Sequence, residues 1–271
     1  MSYQEHPKED EQASARSAEE VLSRLTLQPR NWALFLDIDG TLIDLAETPD
    51  GIVVPRDLPE NLHGLSLKLG GALALVTGRA LAYADRLFAP YEFPLAGLHG
   101  SERRSASGAV SRIETGKAFE DLKTALAEEA RAWPGVLIED KGSAVAAHYR
   151  QAPGQRETVE AAMPRYLDMA GADFTLQRGK MVAEIRPARA SKGHALKAFL
   201  DEAPFKGRRP IAIGDDVTDE AMFRVANELG GHSIRIAETE AGTDAKFILP
   251  SAHALRTIIA ALADSGKSVS A

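Results

Sequence analysis

Short apolar runs alternate with amphipathic segments along most of the chain. The alternation runs from Trp32 to Leu98 and resumes from Ser191 to Ala263, as expected of a parallel sheet wrapped by helices. A leading helix is predicted over residues 17–27. The second half is predicted to form, in order, a helix near 192–202, a strand at 210–213, a helix near 218–229, strands near 232–236 and 246–249, and a helix near 251–263. We therefore predict an α/β core built from residues 17–111 and 188–271.

The segment between the two halves of this core has a different pattern. A helix followed by two strand-like runs occurs twice in succession. The first unit comprises Lys117–Ala132, Val136–Glu139 and Ser143–Tyr149, and the second comprises residues 155–169, 173–177 and 181–186. Such a repeated unit predicts a small sheet with two helices on one face. We therefore predict a self-contained α+β insert over residues 112–187.

The composition narrows the classes of protein that fit this pattern. No apolar run approaches the roughly 20 residues that span a bilayer, so we expect no membrane segment. The net charge of −7 argues against a general nucleic-acid binder. The absence of cysteine excludes disulfides and thiolate metal ligands and leaves carboxylates, histidines and carbonyls. Among these, oxygen ligands favour magnesium.

The first 16 residues are polar and charged. They lack the basic start and the apolar stretch of a secretion signal, and their composition predicts a disordered tail. Together with the absence of cysteine, this favours a cytoplasmic location.

Two carboxylates stand two residues apart at the end of the first apolar strand. Asp37 and Asp39 follow Leu34-Phe35-Leu36 and precede Gly40, which lets the chain turn. Alternate residues of a strand project to the same side, so both can face the carboxyl edge of the sheet, where open α/β sheets bind ligands. Their repulsion is relieved if a divalent cation lies between them or if one carboxyl carries a proton. Taken alone, the segment could equally be a turn with an Asx cap.

Three further polar clusters follow in order. They are Thr77-Gly78-Arg79 after a second apolar strand, Ser191-Lys192-Gly193 at the start of a helical segment, and Gly214-Asp215-Asp216-Val217-Thr218-Asp219-Glu220 after a third strand. The ordered set resembles the haloacid dehalogenase superfamily of phosphotransferases over residues 32–249. That superfamily has an Asp-x-Asp-x-Thr motif, a Thr or Ser, a Lys and an acidic cluster, although the last cluster here has one residue fewer between its aspartates. The resemblance implies a Rossmann-like parallel-sheet core, with the insert as a cap domain.

The resemblance also implies roles for the catalytic residues. Asp37 would be the nucleophile that forms an aspartyl-phosphate, and Asp39 the acid that protonates the leaving alcohol and then the base that activates water. Thr77 would donate its hydroxyl to a phosphate oxygen, and Lys192 would balance negative charge. Without the aspartates, we would interpret Thr77 as a helix N-cap and Lys192 as a solvated surface lysine.

A magnesium site is implied at the same edge. Asp37, the backbone carbonyl of Asp39 and Asp215 would bind Mg²⁺. Asp216 and Asp219 are candidates to position these ligands without contacting the ion themselves. For Asp219 and Glu220, an acidic cap on the helix near Thr218 is an equally good interpretation.

Two more segments resemble the trehalose-6-phosphate phosphatase family within this superfamily. That family pairs a His-Gly-x-Glu loop with a Gly-Lys-x-x-x-Glu-x-Arg-Pro segment, which match Leu98–Glu102 and Arg178–Pro187 here. The resemblance implies hydrolysis of trehalose 6-phosphate, with a trehalose-phosphate synthase as a partner in the same pathway. The substrate-binding candidates are Gly78, Arg79, His99, Glu102, Arg178, Lys180 and Glu184.

Spacing alone does not settle the substrate. Four residues apart on a strand, Lys180 and Glu184 would face the same side and reach toward the core, but they could equally be two solvated charges. A phosphatase of sucrose phosphate or a hexose phosphate, or a phosphosugar mutase relative, keeps the same chemistry. A phospho-acceptor signalling module and a catalytically silent sugar sensor are the alternatives from other classes.

Overall fold

The computed structural model describes residues 17–45, 52–179, 181–239 and 242–264. The predicted disordered tail therefore lies outside the described residues, as does Lys180. The strands of the described part are β1 (Trp32–Leu36), β2 (Leu73–Val76), β3 (Leu95–Gly97), β4 (Glu102–Arg104), β5 (Val110–Arg112), β6 (Leu137–Asp140), β7 (Val145–His148), β8 (Phe174–Gly179), β9 (Val182–Pro187), β10 (Arg209–Gly214), β11 (His232–Ile236) and β12 (Phe247–Leu249). Its α-helices are α1 (Ala18–Leu27), α2 (Leu58–Lys68), α3 (Leu81–Phe88), α4 (Lys117–Glu129), α5 (Arg156–Ala170), α6 (Lys192–Leu200), α7 (Glu220–Glu228) and α8 (Ala252–Asp264).

The larger sheet has the strand order β12-β11-β10-β1-β2-β3-β4-β5. All pairs from β12 to β3 are parallel, which confirms the predicted α/β class. β1 and β2 are buried along their whole length, as is typical of parallel strands covered by helices on both faces. Strand order reverses between β1 and β10, so the crevice beyond their carboxyl ends is the expected ligand site of such a sheet.

An antiparallel hairpin of β4 and β5 extends this sheet at one edge. The sequence pattern did not predict it, because Glu102-Arg103-Arg104 is a charged run rather than an apolar one. Arg112, which we assigned to the insert, is the last residue of β5 and belongs to the larger sheet.

The smaller sheet is antiparallel, with the order β6-β7-β9-β8. Its apolar face packs on α4 and α5 around a separate cluster of buried residues that includes Ala183 and Ile185. Phe119 of α4 stacks on Phe174 of β8, with ring centroids 4.4 Å apart. The opposite face carries polar side chains and is part of the site described below. We refer to this sheet and its two helices as the cap.

No helix of the described ranges is both long enough and apolar enough to cross a membrane.

Candidate active site

Three carboxylates converge at the carboxyl ends of β1 and β10. Asp37 directly follows β1, Asp215 directly follows β10, and Asp219 lies four residues further along. One carboxylate oxygen of each lies within 4.8 Å of the others. Gly40 makes this approach possible, because its φ of +76° suits glycine and because a side chain there would overlap the Asp215 carboxylate. We call these three residues the acidic cluster.

Lys192 lies against the acidic cluster. Its Nζ atom is 2.7 Å from Oδ1 of Asp37 and 2.6 Å from Oδ1 of Asp219, and its side chain is only 3% exposed. Ser191 caps α6 by accepting a hydrogen bond from the backbone N–H of His194, so Lys192 is the first residue of that helix. The interpretation of Lys192 as a solvated surface lysine is therefore wrong.

Burial and mutual repulsion dominate the electrostatics of this cluster. Burial raises the pKa of Asp37 well above its usual value, and the charge of Asp219 adds to this while Lys192 opposes it. Burial likewise raises the pKa of Asp215 to about 6, again with a contribution from Asp219. For Lys192, burial alone would lower the pKa, but Asp37 and Asp219 outweigh it and the pKa is raised. One ammonium group therefore faces three carboxylates, and a divalent cation would offset the excess negative charge.

Asp219 fixes the turn that carries Asp215. Its Oδ2 atom accepts hydrogen bonds of 3.0 Å from the backbone N–H groups of Asp215 and Asp216. Asp216 and Asp219 form a capping box around a short 3₁₀ turn, and α7 itself starts at Glu220. Glu220 instead accepts hydrogen bonds of 2.7 Å from Thr243 and from the backbone of Asp244. The capping interpretation of Asp219 is thus correct for the 3₁₀ turn, while its other oxygen contacts Lys192.

Arg79 holds both carboxylate oxygens of Asp39. Its Nε and Nη2 atoms each donate a hydrogen bond of 2.6 Å to one oxygen. The guanidinium carbon of Arg79 also lies 4.5 Å from the ring centroid of Tyr83, a cation–π contact. Both carboxylate oxygens of Asp39 are therefore held by one guanidinium group.

Thr77 and Gly78 shape the loop after β2. Thr77 is buried, and its hydroxyl accepts a hydrogen bond of 3.1 Å from the backbone N–H of Arg79. A Cβ atom at Gly78 would lie 2.8 Å from two ring atoms of His99, so glycine is what lets the His99 ring pack here. Thr77 does not cap α3, whose N-cap is Ala80.

His99 is a strained and largely buried residue beside this loop. Its φ of +55° lies in the left-handed region, which is uncommon for residues other than glycine. Its Nδ1 atom is buried without a hydrogen-bond partner in the described structure. Burial lowers the pKa of His99 to about 3, with further contributions from Lys192, Arg186 and Lys141. The imidazole is therefore neutral near pH 7.

Two of the substrate-binding candidates make contacts within the protein. Glu102 is buried, and its Oε1 atom accepts a hydrogen bond of 2.6 Å from the backbone N–H of Leu81 at the start of α3. Arg178 is paired with Glu160 of α5 at 2.6 Å, and it also lines a cavity that contains His99 and Lys192. Glu102 and Arg178 are not members of the acidic cluster.

Glu184 lies on the polar face of the cap. Its carboxylate is 2.6 Å from Nζ of Lys141, and neighbouring His148 and Glu139 are 2.8 Å apart. We did not select Lys141 from the sequence, although the segment Glu139-Asp140-Lys141 resembles the family. Gln177 and Arg186, also on this face, were not selected either, because spacing does not reveal which polar side chains lack partners.

Comparisons with known proteins agree on one family. A model of the trehalose-phosphatase family matches residues 35–251. The chain is 59% identical over 251 residues to a probable trehalose-phosphate phosphatase of Sinorhizobium fredii, covering 93% of this chain and 95% of that protein. It is 43% identical over 206 residues to the trehalose-6-phosphate phosphatase of Escherichia coli, covering 76% and 77% of the two chains.

Solved structures share the fold. The C-terminal domain of a Candida albicans trehalose-6-phosphate phosphatase superposes with a TM-score of 0.74 at 20% identity, covering 91% of this chain and 96% of that domain. A phosphatase of the HAD superfamily from Bacteroides thetaiotaomicron superposes with a TM-score of 0.60 at 18% identity, covering 87% and 96%.

Proposed function

The chain belongs to the trehalose-phosphatase family, and from this membership we propose that it hydrolyses trehalose 6-phosphate to trehalose and inorganic phosphate through an aspartyl-phosphate. The observation that carries the proposal is the contact of buried Lys192 with Asp37 at 2.7 Å, beside Asp39, in the crevice where strand order reverses. A carboxylate in that setting is held in one orientation and faces the site where open α/β sheets bind phosphates.

Asp37 is the proposed nucleophile. A carboxylate oxygen of Asp37 forms a bond to phosphorus while the bond from phosphorus to the sugar oxygen breaks. The ammonium group of Lys192 favours the ionised form of Asp37, against the burial that raises its pKa. Thr77 and the backbone at Gly78 are proposed to contact the phosphate oxygens.

Asp39 is the proposed acid and base, and Arg79 is its partner. The incoming phosphate is an anion that competes with Asp39 for the Arg79 guanidinium, which frees the Asp39 carboxyl. Asp39 then takes up a proton from solvent and delivers it to the departing sugar oxygen. In the second half, it removes a proton from the water that attacks phosphorus, and Asp37 is released.

The acidic cluster fits a magnesium ion. The proposed ligands are Asp37, Asp215 and the backbone carbonyl of Asp39, while Asp216 and Asp219 support the turn that holds Asp215. The fit rests on geometry, because one carboxylate oxygen each of Asp37, Asp215 and Asp219 lies within 4.8 Å of the others, and carboxylate oxygens are the ligands that Mg²⁺ prefers. When bound, Mg²⁺ neutralises negative charge on the phosphate and on these carboxylates.

The cap is the proposed source of sugar specificity. Glu184 and Lys141 form an ion pair of 2.6 Å on its polar face, and we propose that this pair, with Lys180 and His99, contacts the sugar. We also propose that the cap, the smaller sheet with α4 and α5, moves relative to the core. A cytoplasmic location and supply of the substrate by a trehalose-phosphate synthase also remain proposals.

A phosphate-release panel tests the function. We expect faster release from trehalose 6-phosphate than from glucose 6-phosphate or sucrose 6-phosphate, and dependence on added Mg²⁺. Asp37→Asn should abolish turnover and leave the fold intact, whereas Asp44→Asn, an exposed aspartate paired with Arg256, should retain activity. Equal rates on the three sugars would overturn the substrate, and full activity of Asp37→Asn would overturn the nucleophile. Stable phosphorylation of the protein without turnover would favour the signalling alternative.

A further inference from the structure

A basic cavity lies where the two chain segments that connect core and cap meet the core. Residues 113–116 lead from β5 into α4, and residues 188–191 lead from β9 into α6. The cavity has a volume of about 260 Å³ and is lined by parts of both segments, of the β4–β5 hairpin and of α6. Its polar and charged lining side chains are those of Ser101, Arg103, Ser111, Arg112, Arg189 and His194. We call it the basic cavity.

The basic cavity is separate from the candidate active site. His99 and Lys192 line a different cavity, and the two cavities have no lining residue in common. Both border α6, but Lys192 at its start borders the active-site cavity, whereas His194 and Ala195 border the basic cavity. A ligand in the basic cavity would therefore not contact the groups that are proposed to bind the substrate phosphate.

The charges around the basic cavity favour an anion. Three guanidinium groups line it, and none of the carboxylates in the described ranges does. Arg103 is paired with Glu202 at 2.5 Å, and the largely exposed Arg112 is paired with Glu102 at 3.3 Å. Arg189 is exposed, and its side chain forms no ion pair or hydrogen bond with any residue that the structure describes. This local excess of positive charge, in a chain with a net charge of −7, attracts negatively charged ligands.

A buried hydroxyl group in the same cavity has no partner. Ser101 lines the cavity and is only 3% exposed, and its Oγ atom has no hydrogen-bond partner within the described part of the chain. The carbonyl of Ser101 accepts a hydrogen bond of 2.7 Å from the backbone N–H of Ile113, so the residue is fixed where the first connecting segment begins. Native proteins leave few buried polar groups unpaired, because each costs free energy. The unpaired hydroxyl therefore indicates a partner from outside the chain.

The available groups select an acceptor of hydrogen bonds. A guanidinium group only donates, and a serine hydroxyl can donate as well. A phosphate group carries negative charge, accepts at every oxygen that is ionised, and matches the planar fork of an arginine. A neutral ligand would leave the charge of Arg189 uncompensated. The volume is slightly below the roughly 300 Å³ at which drug-sized sites begin, so the ligand is small.

We propose that the basic cavity binds a phosphate group, either inorganic phosphate or the phosphate of a small metabolite, through Arg189, Arg112 and Ser101. The bound phosphate joins Arg189 of the second connecting segment to Arg112 and Ser101 on the core. It thereby holds the two segments about which the cap is proposed to move, without contacting the active site. The inference goes beyond the proposed function, because binding here does not depend on which phosphate ester the protein hydrolyses.

The test follows phosphate binding at individual residues. The protein without Mg²⁺ is titrated with inorganic phosphate, and backbone amide signals are followed by ¹H–¹⁵N NMR. The signals of Ile113 and Arg189 report on the basic cavity, and those of Gly40 and Asp216 report on the active site. At the basic cavity we expect saturation with a Kd of about 1 mM or lower.

Two variants and a control assign this Kd to the named groups. Arg189→Gln and Ser101→Ala should each raise the Kd at Ile113 about tenfold, as expected for one lost hydrogen bond to a charged group. The Kd at Gly40 should stay within about twofold of wild type. Ser101→Ala should not lower the melting temperature of the ligand-free protein, because its hydroxyl has no partner to lose. Arg131→Gln, which removes a cap arginine that is 75% exposed, should match wild type throughout.

Two further titrations identify the source of the phosphate group. Tighter binding of glycerol 3-phosphate than of inorganic phosphate would indicate a phosphorylated metabolite, and weaker or equal binding would indicate the free anion. Glycerol should leave all four signals unchanged.

Three results would overturn the inference. The first is saturation of the active-site signals without any shift at Ile113 and Arg189. The second is an unchanged Kd at the basic cavity in both Arg189→Gln and Ser101→Ala. The third is equally strong binding of glycerol, because the site would then recognise hydroxyl groups rather than the anion.

Discussion

The acidic cluster of the core and the polar face of the cap are built differently. Lys192, which contacts the acidic cluster, lines one cavity with Gln177 and Arg186 of the cap. In the core, Lys192 contacts two carboxylates, Asp39 is held by Arg79, and Asp219 accepts two backbone hydrogen bonds. On the cap, buried polar atoms of Gln177 and Arg186 have no partner in the residues that the structure describes.

This difference separates two tasks. The chemical groups are positioned by the protein itself, so their geometry does not depend on which sugar is present. Under the proposed function the cap contacts the sugar, and a ligand that lacks the matching hydroxyls would leave donors and acceptors of the cap unpaired. We therefore expect changes in the core to act on kcat and stability, and changes on the cap to act on KM.

The largest effect is expected from Lys192→Met. Loss of the Lys192 ammonium group leaves Asp37 and Asp219 as buried carboxylates without a counter-charge. In comparable buried pairs, removing one partner lowers the free energy of unfolding by about 3–5 kcal/mol. The melting temperature should fall, and kcat should fall by about 10³ or more because Asp37 loses its orientation and its charge partner. Thermal unfolding and steady-state kinetics measure the two effects.

The control for this variant is Lys197→Met. Lys197 lies on the same helix, is half exposed, and is 3.9 Å from Glu228, so its replacement should change neither quantity. A Lys192→Met enzyme with normal stability would contradict the argument that its contacts compensate for burial of the acidic cluster.

A smaller effect is expected from Arg79→Gln. Without the guanidinium, Asp39 loses the two hydrogen bonds that orient it, and kcat for trehalose 6-phosphate should fall by about 10- to 100-fold. The loss should be smaller for p-nitrophenyl phosphate, because its leaving group needs little help from an acid. Arg86→Gln is the matched control, since Arg86 lies 5.1 Å from the Tyr83 ring centroid. Equal losses on both substrates would indicate that Arg79 acts on the phosphate alone.

Metal binding should depend on pH. The pKa of Asp215 in the metal-free protein is about 6, above its ordinary value of 3.8. Below that pH the carboxyl holds a proton that must leave before a cation binds, so Mg²⁺ affinity should fall as pH falls. The expected loss is about fivefold between pH 6 and pH 5, because the ionised fraction of a group with a pKa of about 6 falls from about one half to about one tenth. It is measured by calorimetric titration of Mg²⁺. Asp44→Asn, which removes an exposed aspartate paired with Arg256, should keep the same dependence, and a flat profile over this range would contradict a metal role for Asp215.

The sequence predicts the core of the site better than the contacts around it. Asp37 and Asp215 each follow an apolar strand, and parallel strands bring such residues to one edge, so their meeting follows from the pattern alone. The β4–β5 hairpin was not predicted, because edge strands tolerate charged residues and lose the apolar signal.

Hydrogen bonds and ion pairs between individual side chains of distant segments carry no signal in a single sequence. Arg79 and Asp39 are 40 residues apart in the chain, and only the packing of β2 against β1 brings them together. The same is true of the unpaired atoms on the cap, which depend on what surrounds Gln177 and Arg186. The family resemblance named Glu102 as a sugar contact, which stays a prediction, while its contacts with the Leu81 backbone and with Arg112 carried no signal in the sequence.

The smallest effect, and the sharpest test of the comparison, is expected from Glu102→Gln. The glutamine keeps a carbonyl oxygen for the Leu81 N–H but loses the charge that strengthens this 2.6 Å hydrogen bond. We expect a loss of about 1 kcal/mol of stability and a KM for trehalose 6-phosphate within about twofold of wild type.

For Glu184→Gln we expect the opposite result, a raised KM and unchanged stability, because Glu184 lies on the polar face of the cap and pairs with Lys141. Thermal unfolding and KM, measured on both variants with exposed Glu114→Gln as the control, separate the two glutamates. A raised KM with unchanged stability in Glu102→Gln would mean that β4 contributes to sugar recognition, and the division of tasks between core and cap would then be wrong at this residue.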